Sequence, residues 1–331
     1  MLDILCIGDA KIDIFLQIPD NDIYFSLDEQ KNNLQIRYGR KINIDNYVKE
    51  IGGNACNIAV GISRLGKQVG ICAELGNDEF SNFIINTLQI EGLNTSFVIK
   101  DVSKPTSFSV CINYKKERTL LSEHTEKTHN FNLNSTSANF IYLTSLGNIW
   151  QNAYQKTLDF IKQTKSTLAF NPGTLQLEER GRLIMELISL SDYLFVNKEE
   201  AEMLLYERDV NLPKEDKEIK KLLFGLKSLG AKNVIITDSD KGSFLADEKE
   251  NLYYLGILKT DVVDKTGAGD AYSAGFISAV LENKNLQDAM LWGTINASNV
   301  IEKIGAETGL LKKEELEEKI NTLTSFRPEI I

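Results

Sequence analysis

Residues 264–276 read DKTGAGDAYSAGF. Gly267, Ala268 and Gly269 carry almost no side chain, so their backbone amides can approach a ligand closely. Asp270 follows at once, at the head of a small-residue run. If the run is a helix, its first amides have no carbonyl from a preceding turn and form a site for an anion. The same amides would hold the carboxyl of Asp270 in its ionised form, with a lowered pKa, ready to accept a proton. An anion hole beside a proton acceptor suits phosphoryl transfer to a hydroxyl: the hole receives the moving group and the acid orients and deprotonates the acceptor. A glycine-rich turn with aspartate as a helix cap accounts for the same residues without any chemistry.

A second glycine pattern points elsewhere. Gly61 to Lys67, GISRLGK, has the G-x-x-x-x-G-K spacing of a phosphate loop. The hydroxyl that would hold a metal ion is replaced by Gln68. The stretch also falls inside a helical pattern, with Ala55, Ile58, Ala59, Ile62 and Leu65 on one face and Gly66 as the stop. It reads as the end of a helix.

The elements that must position Asp270 alternate in type. Apolar runs at 3–7, 69–75, 140–143, 167–170, 193–196 and 233–237 read as buried strands. Helical patterns separate them, including 53–65, a segment capped by Asp78, 151–164 and 183–189. This alternation predicts an α/β fold: a mostly parallel sheet with helices on both faces. The run 252–263 before the anion hole reads as strand, and helices are predicted over 270–283, 286–303 and 312–322. Segments 12–50 and 107–122 break the rhythm with alternating apolar and polar residues. They predict a small antiparallel sheet at the edge of the main one, placed as a lid on a single domain of 331 residues, with much of 19–50 as solvated loop.

Composition excludes several classes. The net charge is −10 and there is no basic run, so a nucleic-acid partner is not expected. Cys6, Cys56, Cys72 and Cys111 are widely spaced and only His124 and His129 accompany them, which does not make a structural zinc site. No apolar run reaches the roughly 20 residues of a membrane helix, and the N-terminus does not read as a signal peptide. The expected location is the cytoplasm, with reduced thiols and no membrane partner. The first strand-to-helix joint, CIGDAKID, lacks G-x-G-x-x-G, which argues against a dinucleotide-dependent oxidoreductase.

Together GGNACNIAVGISRLG and DKTGAGDAYSAGF resemble the two signatures of ribokinase-type (PfkB) carbohydrate kinases, and the resemblance covers nearly the whole chain. It implies a ribokinase-like fold with a β lid, and transfer of the γ-phosphate of ATP to a hydroxyl of a sugar, or of a nucleoside on the same fold. It implies Asp270 as catalytic base and Gly267, Ala268 and Gly269 as the anion hole. Asp13, Gly52, Gly53 and Asn57 would hold the acceptor. Asn197 and Glu200, in NKEEAE, would lie near the phosphates and a hydrated Mg²⁺. Thr237 to Gly242 would flank the nucleotide, as would 305–311. Asp264 and Thr266 would help to bind a monovalent cation, K⁺. Exposed lid strands make a homodimer through the lid a further expectation. A non-catalytic sugar- or nucleotide-binding regulator would lack the base, and Asp270 is present. Three positions depart from the ribokinase pattern: Lys11 stands for an asparagine, Thr144 for a glutamate, and Asn171 for a frequent acid. They point away from ribose itself. Phe15, Tyr24, Phe25 and Tyr38 would favour a nucleoside if they formed an aromatic lid surface.

Overall fold

The structure is a computed structural model of the 331-residue chain. It describes residues 2–28, 30, 33–115, 117–123, 125–133, 136, 138–205 and 219–331. His124 and a few lid positions (29, 31, 32 and 116) lie outside the described residues.

Strand Ile4–Ile7 shows why the chain builds a covered sheet. All four residues are buried, but they face opposite ways. Ile4 and Cys6 pack into one apolar cluster, with helices Asn54–Arg64, Ala268–Leu281 and Leu286–Val300. Leu5 and Ile7 pack into a second, with helices Gln151–Thr164, Arg182–Leu190 and Ile219–Ser228. A strand with two buried faces has no polar alternation, hence its unbroken apolar reading. Among the described residues the sheet has nine strands. Val69–Cys72, Ile4–Ile7, Phe140–Thr144, Thr167–Asn171, Tyr193–Asn197 and Asn233–Thr237 run parallel in that spatial order. Ser243–Ala246, Leu252–Leu255 and Glu329–Ile330 complete it antiparallel.

The expected strands and helices are present, with ends displaced by a few residues. Asp78 caps Glu79–Ile90 through a reciprocal exchange with Ser81. One expectation fails: the strand read over 252–263 ends at Leu255, and 256–263 is irregular. Past Leu255 the apolar residues Ile257, Val262 and Val263 are exposed, so no second buried face holds them in a strand.

A second sheet stands off the first, in the order Glu117–Ser122, Phe108–Tyr114, Lys11–Gln17, Asn46–Gly52. Its outer pairs are antiparallel. The central pair is parallel, with Asp13 opposite Ser109. Those two strands belong to separate excursions, so no tight turn forces them antiparallel. The excursion at 19–50 is more ordered than a solvated loop. Phe25–Leu27 pairs with Leu34–Ile36, and Ile18, Phe25, Ile112 and Tyr114 bury a small core of their own. Of the four aromatic residues that could have faced a nucleoside, Phe25 packs on Tyr114 in this core, Tyr24 lies under Arg37, and Tyr38 is 99% exposed. Phe15 is buried.

Candidate active site

The parallel strands end along one edge of the sheet, where Thr144, Asn171, Asn197 and Thr237 are their last residues. Open α/β sheets bind ligands outside these carboxyl ends. The first excursion to the second sheet leaves from this edge, where Ile4–Ile7 runs into Lys11–Gln17, and comes back as Asn46–Gly52 runs into Asn54–Arg64.

Helix Ala268–Leu281 begins here. Gly267 is its N-cap at φ 74°, a left-handed conformation that disfavours any side chain. A methyl group at Gly267 would also meet the Cα of Ala306 at 2.8 Å. No atom lies within 4 Å of where a methyl at Gly269 would stand, so that side of the helix start is open. Asp270 is in the first turn.

Helix Asn54–Arg64 crosses this helix closely, since a methyl at Gly61 would come within 2.7 Å of the Ala274 methyl. Gly61 of the false phosphate loop is therefore a crossing point. Gly66 ends its helix at φ 86°, and Lys67 pairs with Glu282 at 3.2 Å. The close crossing brings Asn57 to Asp270: its side-chain amide donates to Oδ2 at 2.8 Å. The other atom of that amide, Oδ1, is buried without a partner.

The electrostatics of Asp270 reverse the sequence expectation. Burial pushes its pKa up from 3.8 to about 7, against the Asn57 hydrogen bond and the charge of Lys11, which pull it down, while Glu200 adds to the rise. The helix amides do not outweigh removal from water. A carboxyl raised in this way can take a proton near neutral pH.

Asp13 lies on the second sheet and is buried, and its Oδ1 accepts no hydrogen bond. Burial raises its pKa, opposed by Lys11, Ser109 and Arg118. Gly52 is what admits it, because a methyl there would overlap the Asp13 carboxylate. Gly53, the N-cap of the Asn57 helix at φ 94°, packs directly on the backbone of Asp9. Lys11 has its ammonium 3.9 Å from Asp13 and 3.4 Å from the Ser122 hydroxyl. Thr144 is buried with its hydroxyl unpartnered. Asn171 donates its amide to the carbonyl of Phe195.

Asn197 and Glu200 cap their own helix reciprocally. The Glu200 amide donates to Asn197 Oδ1 at 2.8 Å, and the Asn197 amide to Glu200 Oε2 at 2.9 Å. Burial raises the pKa of Glu200, as does Glu199. Its charge is felt at Asp270. Thr237 ends its strand beside Asn197, and Gly242 closes the turn that follows at φ 90°.

Asp264 and Thr266 meet, but not as an open cation site. Both Asp264 oxygens are engaged: Oδ1 accepts from Arg118, from the Thr266 amide and from the Thr266 hydroxyl, and Oδ2 accepts from the Gly305 amide. Burial raises the Asp264 pKa, but these donors outweigh it and hold the group below the ordinary carboxylate range. The residues present do not fit a monovalent cation at this carboxylate. Among the described residues, no cluster of three or more acidic, histidine or cysteine side chains could hold a metal ion.

Sequence reasoning missed two residues. Arg118 is one. Asn296 is the other: its amide donates to the Ala271 carbonyl at 2.8 Å and its oxygen accepts from the Leu311 amide at 3.1 Å, tying the Asp270 helix to 305–311. An asparagine directly after the apolar residues of LQDAMLWGTINASNV was the available signal. Cys6, Cys56, Cys72 and Cys111 are free and buried. Among the described residues no helix is long and apolar enough to cross a membrane.

Comparison with known proteins gives the family and the fold. Residues 2–313 match the family described as pfkB family carbohydrate kinase. The chain is 24% identical to a 5-dehydro-2-deoxygluconokinase of Clostridium tetani, over 96% of this chain and 93% of that protein. It is 28% identical to an uncharacterized sugar kinase of Archaeoglobus fulgidus, over 76% and 98%. Among solved structures, the ribokinase of Thermotoga maritima superposes with a TM-score of 0.78 at 24% identity, over 97% of this chain and 100% of that one. The nucleoside kinase of Methanocaldococcus jannaschii does so with a TM-score of 0.76 at 23%, over 97% and 99%. These two likenesses establish the ribokinase fold. The chain belongs to the pfkB family of carbohydrate kinases, phosphotransferases that act on a hydroxyl group.

Proposed function

We propose that this carbohydrate kinase transfers the γ-phosphoryl group of ATP to a hydroxyl of a sugar acid, with Asp270 as base. The observation that carries the reading is the Asp270 carboxyl, held by Asn57 at 2.8 Å, one residue from an open helix start. Asp270 takes the proton as the acceptor oxygen attacks. The amides of Gly267, Ala268 and Gly269 face the charge that builds on the transferring group. Asn57 fixes the rotamer of Asp270 and favours its ionised form.

Asp13 accepts hydrogen bonds from acceptor hydroxyls; its buried Oδ1, which faces the Lys11 ammonium at 3.9 Å but accepts no hydrogen bond, is the motive for that role. Gly52 and Gly53 shape the floor beside it. Thr237 to Gly242 and 305–311 flank the nucleotide. Mg²⁺ neutralises the phosphates. Glu200 suits contact with it through water, since a carboxylate already strained by burial gains from a nearby dication, and Mg²⁺ commonly keeps most of its waters. The second sheet acts as a lid that excludes water from the phosphoryl group. The cytoplasm is the compartment where such a kinase meets ATP.

The acid is suggested by Lys11. Its ammonium sits among carboxylates beside Asp13 and is felt at Asp270, where a neutral acceptor would need only hydroxyl partners. The relatives named 5-dehydro-2-deoxygluconokinase act on a carboxylate-bearing sugar by that name. A panel of neutral sugars, nucleosides and aldonic or keto-deoxyaldonic acids, read by ATP consumption, tests this. Acids are expected to lead in kcat/KM by at least about tenfold, and Lys11→Met to erase that lead, equivalent to about 1.4 kcal/mol. A neutral sugar or nucleoside leading the panel would overturn the acid assignment.

A further inference from the structure

The loop that feeds the helix start is held by a side chain from the other sheet. Arg118 belongs to edge strand Glu117–Ser122 and its Nη1 donates to Asp264 Oδ1 at 2.9 Å. Asp264 is 8% exposed at this bridge and Arg118 43%. From Asp264 the contacts run to the amide and hydroxyl of Thr266, next to the N-cap Gly267, and to the amide of Gly305. Gly267 in turn lies against Ala306. One carboxylate therefore gathers both chain segments that flank the open helix start. At the opposite edge of the second sheet Glu50 lies against Gly305 and accepts from the Thr308 hydroxyl at 2.6 Å, so the sheet grips 305–308 from two sides.

A buried carboxylate that organises a loop needs a positive partner. A small cation could serve, but it would compete with four donors already in place. A guanidinium supplies the same single charge with directed hydrogen bonds, and it arrives only when the second sheet is seated. We propose that Arg118 is the cation of this loop: a positioning residue that, through Asp264, sets the anion hole when the lid is down and makes the enzyme independent of K⁺. This rests on the kinase reading for its catalytic consequence.

The test compares the wild-type enzyme with Arg118→Gln and Arg118→Lys in potassium and in tetramethylammonium chloride at equal ionic strength. Wild-type kcat is expected to agree within about twofold between the two salts. Arg118→Gln in tetramethylammonium should lose at least about tenfold in kcat with little change in acceptor KM, the pattern of an interaction lost at the transition state, and should regain part of it in potassium. Arg118→Lys, which keeps the charge, should fall less than Arg118→Gln. Melting temperature gives a second readout that needs no acceptor. Potassium should raise it for Arg118→Gln and leave the wild type unmoved. A wild type stimulated about tenfold or more by potassium, or an Arg118→Gln variant with wild-type kcat in tetramethylammonium, overturns the proposal. If no acceptor is phosphorylated the kinase reading fails, and the melting comparison alone decides whether Arg118 fills the place of a cation: equal responses of both proteins to potassium would refute it.

Discussion

The side-chain amide of Asn57 reaches Asp270 Oδ2 at 2.8 Å across 213 positions of sequence. It joins the two glycine-rich signatures of the chain into one site. Asn57 is the largest of the effects that hold the Asp270 pKa down, and burial still carries it to about 7. The expected pH profile of kcat/KM therefore rises through about pH 7 to a plateau. Asn57→Ala removes a donor to the ionised form, so the acidic limb should move to higher pH. A profile unmoved in the variant would detach Asn57 from the base.

Asp13 and Gly52 should behave as one unit. If Asp13 holds the acceptor as proposed, Asp13→Ala costs about 2–4 kcal/mol in kcat/KM, mostly through acceptor KM and with ATP KM little changed. Gly52→Ala pushes a methyl into the Asp13 carboxylate and should raise acceptor KM in the same direction. Unchanged acceptor KM in both variants would make Asp13 a structural acid.

The second sheet leaves an apolar edge. Leu120 and Leu121 are 54% and 56% exposed on Glu117–Ser122, and edge strands with apolar side chains invite pairing. A homodimer through this sheet is the expected state in light scattering, with Leu121→Lys shifting it to monomer. A wild type that is monomeric at high concentration would remove the dimer and leave the lid untouched.

Local order was readable from the sequence where one residue or one period decides it. Helix Gln151–Thr164 follows its apolar period, and Asp78 announces the start of its helix through a cap that operates within four residues. The two signatures carried the local backbone of the candidate site for the same reason, since Gly267 and Gly53 are demanded by their own backbone angles. The protonation of Asp270 was misread because it depends on what the fold stacks around it. Helix amides are visible in sequence, but burial, Asn57, Glu200 and Lys11 become neighbours only through the fold. Arg118 escaped notice because a single arginine in a strand of the pattern ERTLLS carries no sign of a carboxylate 146 positions away. The 19–50 excursion read as solvated because half of its small core, Ile112 and Tyr114, comes from a different segment.

The most direct measurement is kcat of Asp270→Asn beside its melting temperature as a function of pH. Asparagine keeps the size of the side chain and can still accept from Asn57, but it cannot take the proton. The folded chain holds the Asp270 proton more tightly than the unfolded chain, so the stability from that proton is fully present below about pH 3.8 and is lost as pH rises through about 7. The variant should therefore melt close to the wild type near pH 4 and above it near pH 8. Its kcat should fall by about 10²–10⁴, with both substrates still bound. A folded Asp270→Asn variant with wild-type turnover would contradict the assignment of Asp270 as the base.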